Sequence, residues 1–185
     1  MKEYISKSIK VKKDILEDEN LLKEIEKVVV TVSAALRKEK KLLFIGNGGS
    51  ASDCNHLSTE FVSKFCKERH ALNAVSLTAN NSLLTAIAND FGFEKVFSRQ
   101  VEGLGEKGDI LFALSTSGNS KNIVEALRIA KEKGLVNIGF SGGNSSKMDS
   151  LCDILLKIPS LDTPIIQEAH IMLGHLICKM VEEKI

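Results

Sequence analysis

The chain is short of several things, and each shortage excludes a class. Charge of one sign is missing: 25 Lys and Arg stand against 24 Asp and Glu, for a formal net charge of +1. No nucleic-acid or membrane surface is therefore built on bulk charge. No apolar stretch approaches the roughly 20 residues that a bilayer requires. With two prolines there is no Pro-rich linker, and no low-complexity tract or internal repeat divides the chain. The four cysteines, Cys54, Cys66, Cys152 and Cys178, are scattered without a C-x-x-C pair. That pattern suits reduced thiols in a cytoplasm, most of them packed as small core residues, rather than a disulfide framework or a thiolate zinc site. Met1-Lys2-Glu3 leads into a charged amphipathic segment with no apolar h-region, so no signal peptide is expected.

What remains is an ordinary globular composition, 43% hydrophobic and 26% charged over 185 residues. That length fits one domain, 1–185, with a full core. Residues 3–38 read as two helices broken near Glu17-Asp18-Glu19-Asn20. The second carries Leu22, Ile25, Val28, Val29, Val32 and Leu36 at helical spacing. This apolar face is larger than one small domain needs, and packing between subunits is expected of it. Continuously apolar runs follow at 42–45, 74–77, 110–114 and 136–140, with a weaker one at 154–158. Helical patterns lie between them at 50–66, 82–89, 120–133 and, briefly, 146–151; a last helix covers about 163–183. Continuous apolar strands alternating with helices predict a three-layer, doubly wound, five-stranded parallel sheet over residues 39–185. Ligands of such a sheet sit at the carboxyl ends of its strands.

Two strand-to-helix loops carry the chemistry. In "LLFIGNGGSASDCNHLSTEF" (42–61), Gly46-Asn47-Gly48-Gly49 forms the turn, with Ser50 or Ser52 as the expected helix N-cap. Gly46, Gly48 and Ala51 satisfy a loose dinucleotide pattern. That reading needs a carboxylate at the end of the next strand, and Ser76-Leu77-Thr78-Ala79-Asn80 has none; a Walker-type Gly-Lys-Ser/Thr is also missing. In "LFALSTSGNSKNIVEAL" (111–127), Ser115, Thr116, Ser117 and Ser120 precede a helix. Four hydroxyls, Gly118 and a helix N-terminus make a neutral phosphate cradle. The two loops together suggest a monophosphate in the second and a polyhydroxy body toward the first. Asn89-Asp90 ends a helix and could reach sugar hydroxyls, or simply stop the helix.

His56 and Glu60 share a helix face at i, i+4. Gln167 and His175 lie on the apolar last helix, "TPIIQEAHIMLGHLICKM", where buried polar groups need partners. His170 points well round that helix from His175, and an interface or surface role is expected for it. His56, Glu60, Gln167 and His175 can make a nitrogen–oxygen metal site suited to zinc. Eight helical residues separate Gln167 from His175, about 12 Å, so both must lean toward a common ion. The same groups could instead move a proton beside a carbonyl.

These residues and their order resemble the phosphoheptose isomerases, the sedoheptulose 7-phosphate isomerase branch of the SIS (sugar isomerase) superfamily. The resemblance spans essentially the whole chain. It is carried by "GNGGSASDCNHLSTEF", "ANDFGFEKVFSRQVEGLG", "GDILFALSTSGNSKNIVEALRIAKEKG" and "TPIIQEAHIMLGHLIC". It implies a flavodoxin-like SIS domain with N-terminal helices for oligomer packing, a homotetramer with active sites at subunit interfaces, and a small sugar phosphate as the only partner. Asn47, Gly48, Gly49, Asn89 and Asp90 would contact substrate, as would Glu60 and Gln167; Ser115, Thr116, Ser117 and Ser120 would hold its phosphate. Glu60 and His175 would be catalytic, and His56, Glu60, Gln167 and His175 would bind one zinc per subunit. The activity implied converts sedoheptulose 7-phosphate to D-glycero-D-manno-heptose 7-phosphate through an enediol, for surface polysaccharide synthesis. A non-catalytic SIS protein that binds the replication initiator is the alternative. Two departures, Lys64 and Ile165 where arginine is common, touch the expected site neighbourhood.

Overall fold

A computed structural model describes residues 1–185. Helices α1 (Lys2–Glu17) and α2 (Glu19–Leu36) precede strand β1 (Leu42–Gly46) and helix α3 (Gly49–Val62). Strand β2 (Ala74–Ser76), α4 (Asn81–Phe91), α5 (Ser98–Leu104), β3 (Ile110–Leu114) and α6 (Lys121–Glu132) follow. Strand β4 (Val136–Ser141), β5 (Ile154–Lys157) and α7 (Thr163–Glu182) complete the chain. The five strands are all parallel, in the order β2-β1-β3-β4-β5. Every residue of β1 and β3 is buried, as expected of central parallel strands covered on both faces.

Strand alternation sorts the side chains into two cores. Leu42, Phe44, Ile110 and Phe112 face α1, α2, α3 and α7, while Leu43, Ile45, Leu111 and Ala113 face the α5–α6 side. The first core holds 30 buried apolar residues and the second 15, so the α7 side is the thicker layer. Phe44 and Phe112 stack there with centroids 4.8 Å apart. Each such fully buried side chain contributes roughly 1.5–3 kcal/mol through water exclusion.

Five expectations change. Val28, Val29 and Val32 are 0% exposed within one subunit; the helical pair covers the sheet itself, and this face is not spare. The exposed apolar residues of the pair are Tyr4, Ile5, Ile9, Leu16 and Val30. Gly48, not Ser50 or Ser52, is the N-cap of α3. That helix ends at Val62, because the chain beyond it turns back onto α7. Finally, α5 lies in a segment where the sequence suggested no element, and the 146–151 pattern is a 3-10 turn at Lys147–Ser150 closed by a Ser146–Asp149 capping box.

Candidate active site

The chain leaves β1 toward β2 on one side, then returns to place β3 on the other. The carboxyl ends of β1 and β3, where Gly46 is paired with Leu114, form the switch point at which such sheets bind their ligands. The loop after β1 enters α3 through Gly48, at φ +56°, a left-handed conformation that glycine adopts without cost. No side chain caps α3; the Ala51 N–H turns to the Gly48 carbonyl at 3.0 Å, which leaves the N–H groups of Gly49 and Ser50 for an anion or hydroxyl. Gly49 leaves room for α7: a Cβ there would lie 2.8 Å from the Gln167 amide nitrogen. Asn47 and Asn122 exchange two side-chain hydrogen bonds of 2.9 Å each, lacing this loop to the first turn of α6.

The loop after β3 keeps its hydroxyls available. Ser120 is the N-cap of α6 but makes no side-chain bond to that helix. Its Oγ lies 3.3 Å from that of Ser115, so two hydroxyls gather at the helix N-terminus. Ser117 Oγ accepts from the Asn119 N–H at 3.2 Å, and the Thr116 carbonyl accepts from Gly142 at 3.0 Å. A cavity of about 160 Å³ opens beside Thr116 and Ser117, walled by Asn144, Ser160 and Thr163.

Two helices bring the titratable groups together. α3 and α7 run side by side in the same direction, because Gly49 meets Gln167 at one end and Leu57 meets Gly174 further along. His56 Nε2 consequently lies 2.8 Å from His175 Nε2 and 3.3 Å from Glu60 Oε1. Ligand atoms of these three residues all lie within 4.8 Å of one another. Two donors on a tetrahedral zinc stand roughly 3.3 Å apart, given metal–nitrogen lengths of about 2.0–2.1 Å. Two imidazoles and a carboxylate so disposed fit a divalent cation of borderline softness. They equally fit a proton relay, since one imidazole must donate if the other accepts. The Phe65 ring, 5.7 Å from that of His175, closes one side.

Other expected residues land elsewhere. Gln167 lies against Gly49, two helical turns from His175. Asn89 and Asp90 are exposed at the far end of α4, where the Asn89 amide donates to Asp90 at 2.8 Å. That end lies about 12 Å by helical rise from the start of α4. His170 is neither at an interface nor on the surface: it is 0% exposed, its Nε2–H donates to the Ser141 carbonyl at 3.3 Å, and it sits edge-on to Phe140. Burial pushes its pKa down to about 4, so it is neutral. Ile165 belongs to the apolar core, and Lys64 is exposed 3.7 Å from Glu68.

Asp53 was not singled out from sequence. One of its carboxylate oxygens is buried without a hydrogen-bond partner. Burial raises its pKa, with His56 and His175 pulling it back down. Its position three residues before His56 and seven before Glu60 puts it on their face of α3, a signal that was present at i, i+3, i+7. Asn122 had no such local signal.

The sequence profile of the SIS domain matches residues 3–142. A phosphoheptose isomerase of Aneurinibacillus thermoaerophilus is 48% identical over 185 residues, covering 100% of this chain and 93% of that protein. Phosphoheptose isomerase 2 of Campylobacter jejuni is likewise 48% identical, over 100% of this chain and 92% of that one. The solved structure of a Francisella tularensis phosphoheptose isomerase superposes with a TM-score of 0.94 at 30% identity, over 98% of this chain and 96% of that chain. The Neisseria gonorrhoeae phosphoheptose isomerase gives 0.91 at 37% identity, over 97% and 95%.

Proposed function

The chain belongs to the SIS domain family and, within it, to the phosphoheptose isomerases, and from this premise we propose that it interconverts sedoheptulose 7-phosphate and D-glycero-D-manno-heptose 7-phosphate. The observation that carries this reading is the approach of Glu60, His56 and His175 on α3 and α7, the same α3 that starts, like α6, without an N-cap side-chain bond at the carboxyl end of its strand. The alternative, a non-catalytic protein binding the replication initiator, places no demand on a carboxylate held against two imidazoles.

The phosphate would sit on Ser115, Thr116, Ser117 and Ser120, with the first N–H groups of α6 completing its shell. Asn47, Gly48, Gly49 and Gln167 would line the sugar chain, directing C1 and C2 toward α3. Glu60 would take a proton from C1 of the ketose while His175 delivers one to the C2 carbonyl oxygen, giving the enediol. Glu60 then returns its proton to C2, and His175 removes the hydroxyl proton from O1, leaving the C1 aldehyde. His56, Glu60 and His175 would hold one zinc per subunit, with Gln167 joining them only by leaning along α7 toward the ion, and the zinc when bound would polarise the carbonyl. The product would feed heptose into a surface polysaccharide.

A homotetramer in the cytoplasm completes the proposal. No helix is long and apolar enough to cross a membrane. Exposed Tyr4, Ile5 and Ile9 on α1, and Phe91 and Phe93 at and just past the end of α4, support self-association. In such an assembly Asn89 and Asp90, remote from their own loops, would serve a neighbouring subunit's site. The test of function is direct: sedoheptulose 7-phosphate is incubated with the protein in heavy water and followed by NMR. A new aldose signal is expected, with deuterium at C2 to the extent that the site exchanges with solvent. No aldose from the zinc-supplemented protein would reject the assignment.

A further inference from the structure

Beyond the end of α3, a buried ion pair ties the last turn of α7 to the turn that carries Glu60. Glu182 is 6% exposed. Its carboxylate accepts three consecutive backbone N–H groups, from Phe65 at 3.0 Å, Cys66 at 2.7 Å and Lys67 at 3.0 Å. A fourth bond comes from Arg69 Nε at 3.0 Å. Burial alone would raise the Glu182 carboxyl; the backbone N–H groups and Arg69 outweigh it and keep the group ionised below its ordinary value. Arg69 directs its remaining nitrogens to carbonyls: Nη2 to Glu60 at 2.7 Å, and Nη1 to Phe61 at 2.8 Å and His70 at 3.1 Å.

Carbonyls in the last turn of a helix have no partner within it. The guanidinium takes the place of the missing turn, and its planar fork grips two successive carbonyls as an ammonium could not. Through one end it holds the backbone of Glu60. Through the other, Glu182 fixes the backbone of Phe65, whose ring lies beside His175.

We propose that Arg69 and Glu182 are a positioning pair for this site, setting the last turn of α3 and the 63–70 segment so that Glu60 and His175 face one another. The pair touches neither substrate nor metal; it acts through Glu60's carbonyl and Phe65's ring. The proposal rests on reading Glu60 and His175 as the catalytic pair.

The test compares Arg69→Lys and Glu182→Gln in the full chain, with Asp109→Asn as control. The Asp109 carboxylate is taken up by Lys41, at 2.7 Å from its Nζ, and by the backbone N–H groups of Lys41 and Glu106, so its loss should lower stability alone. Three quantities are measured: kcat and KM for sedoheptulose 7-phosphate, zinc affinity by competition with a chromophoric chelator, and Tm. Both pair variants should lose about tenfold or more in kcat and in zinc affinity, the usual effect of removing an outer support of a ligand. KM should move by less than about threefold. Asp109→Asn should keep kcat at a comparable loss of Tm. Unchanged kcat and zinc affinity in the pair variants would overturn the proposal, as would an equal kcat loss in Asp109→Asn. If one pair variant fails to fold, the other decides. Arg69→Ala with added methylguanidinium gives a further arm: recovered kcat supports positioning, and a folded variant that does not recover counts against it. Should the wild type not isomerise the sugar, the functional reading falls, and zinc affinity still judges this pair.

Discussion

His56 Nε2 and His175 Nε2 lie 2.8 Å apart although 119 positions separate them in the chain. The contact exists because α3 and α7 run in parallel from the same end of the sheet, with Gly174 letting Leu57 approach. Glu60 Oε1, 3.3 Å from the same His56 nitrogen, adds a negative group to the pair. Three groups meeting at one point are either a cation site or a proton path, and mutation separates these roles.

Glu60→Gln keeps size and hydrogen bonding but removes the base. Its kcat should fall by two or more orders of magnitude, roughly the worth of general base catalysis. His56→Ala should act differently, weakening zinc retention, with activity partly restored by added zinc. Steady-state kinetics with metal analysis checks both, and normal isomerisation by Glu60→Gln would show that another group is the base.

Ser117 and Ser120 stand on a loop whose N-cap side chain makes no bond to its helix; Ser120 Oγ touches only Ser115 Oγ, and Ser117 Oγ accepts from the Asn119 N–H while its own O–H remains available to a ligand. Replacing both with alanine should raise KM for the phosphorylated sugar and lower kcat through misplacement of C1 and C2. The fold should be unaffected, since neither hydroxyl supports α6. Kinetics identical to the wild type would remove this loop from the site.

Assembly can be checked by light scattering at micromolar concentration, where a tetramer is expected. Ile5 and Ile9 are 54% and 49% exposed on α1, so Ile5→Lys with Ile9→Lys should split the assembly and leave each subunit folded. A stable wild-type monomer would contradict the tetramer.

How much of this could be read from sequence depended on whether the signal was local. Continuous apolar runs located all five strands; β1, β3 and β4 are covered on both faces and need no polar alternation, while the edge strands β2 and β5 stay apolar although one face is only partly covered. The i, i+4 spacing of His56 and Glu60 was equally plain. α5 was missed because seven residues, with only Val101 apolar and buried among them, show no period. Arg69 and Glu182 are 113 positions apart, and nothing in either neighbourhood announces the other. His170 was assigned correctly to a different direction from His175 but wrongly to an interface or the surface. α7 is packed on both sides, so the direction away from the site leads into the core. Ile165 follows the same logic: it fills that core.

His170 also gives the molecule a defined response to acid. Its folded pKa is about 4, burial being the main cause, against an ordinary 6.5. The neutral ring suits the fold, while the unfolded chain takes up a proton below 6.5. Stability from this group is therefore complete above about pH 6.5, declines as pH falls toward 4, and changes no further below that. At about 1.4 kcal/mol per pH unit, the full effect is about 3 kcal/mol. Urea unfolding at a series of pH values should show the midpoint falling between pH 6.5 and 5, above the range where carboxylates such as Glu182 begin to protonate. His170→Gln retains a donor for the Ser141 carbonyl but cannot titrate. It should be less stable at pH 7 through imperfect packing, with a flatter slope from pH 6.5 to 5. Parallel slopes for the two proteins would mean that His170 is protonated in the fold, and that the burial argument for it is wrong.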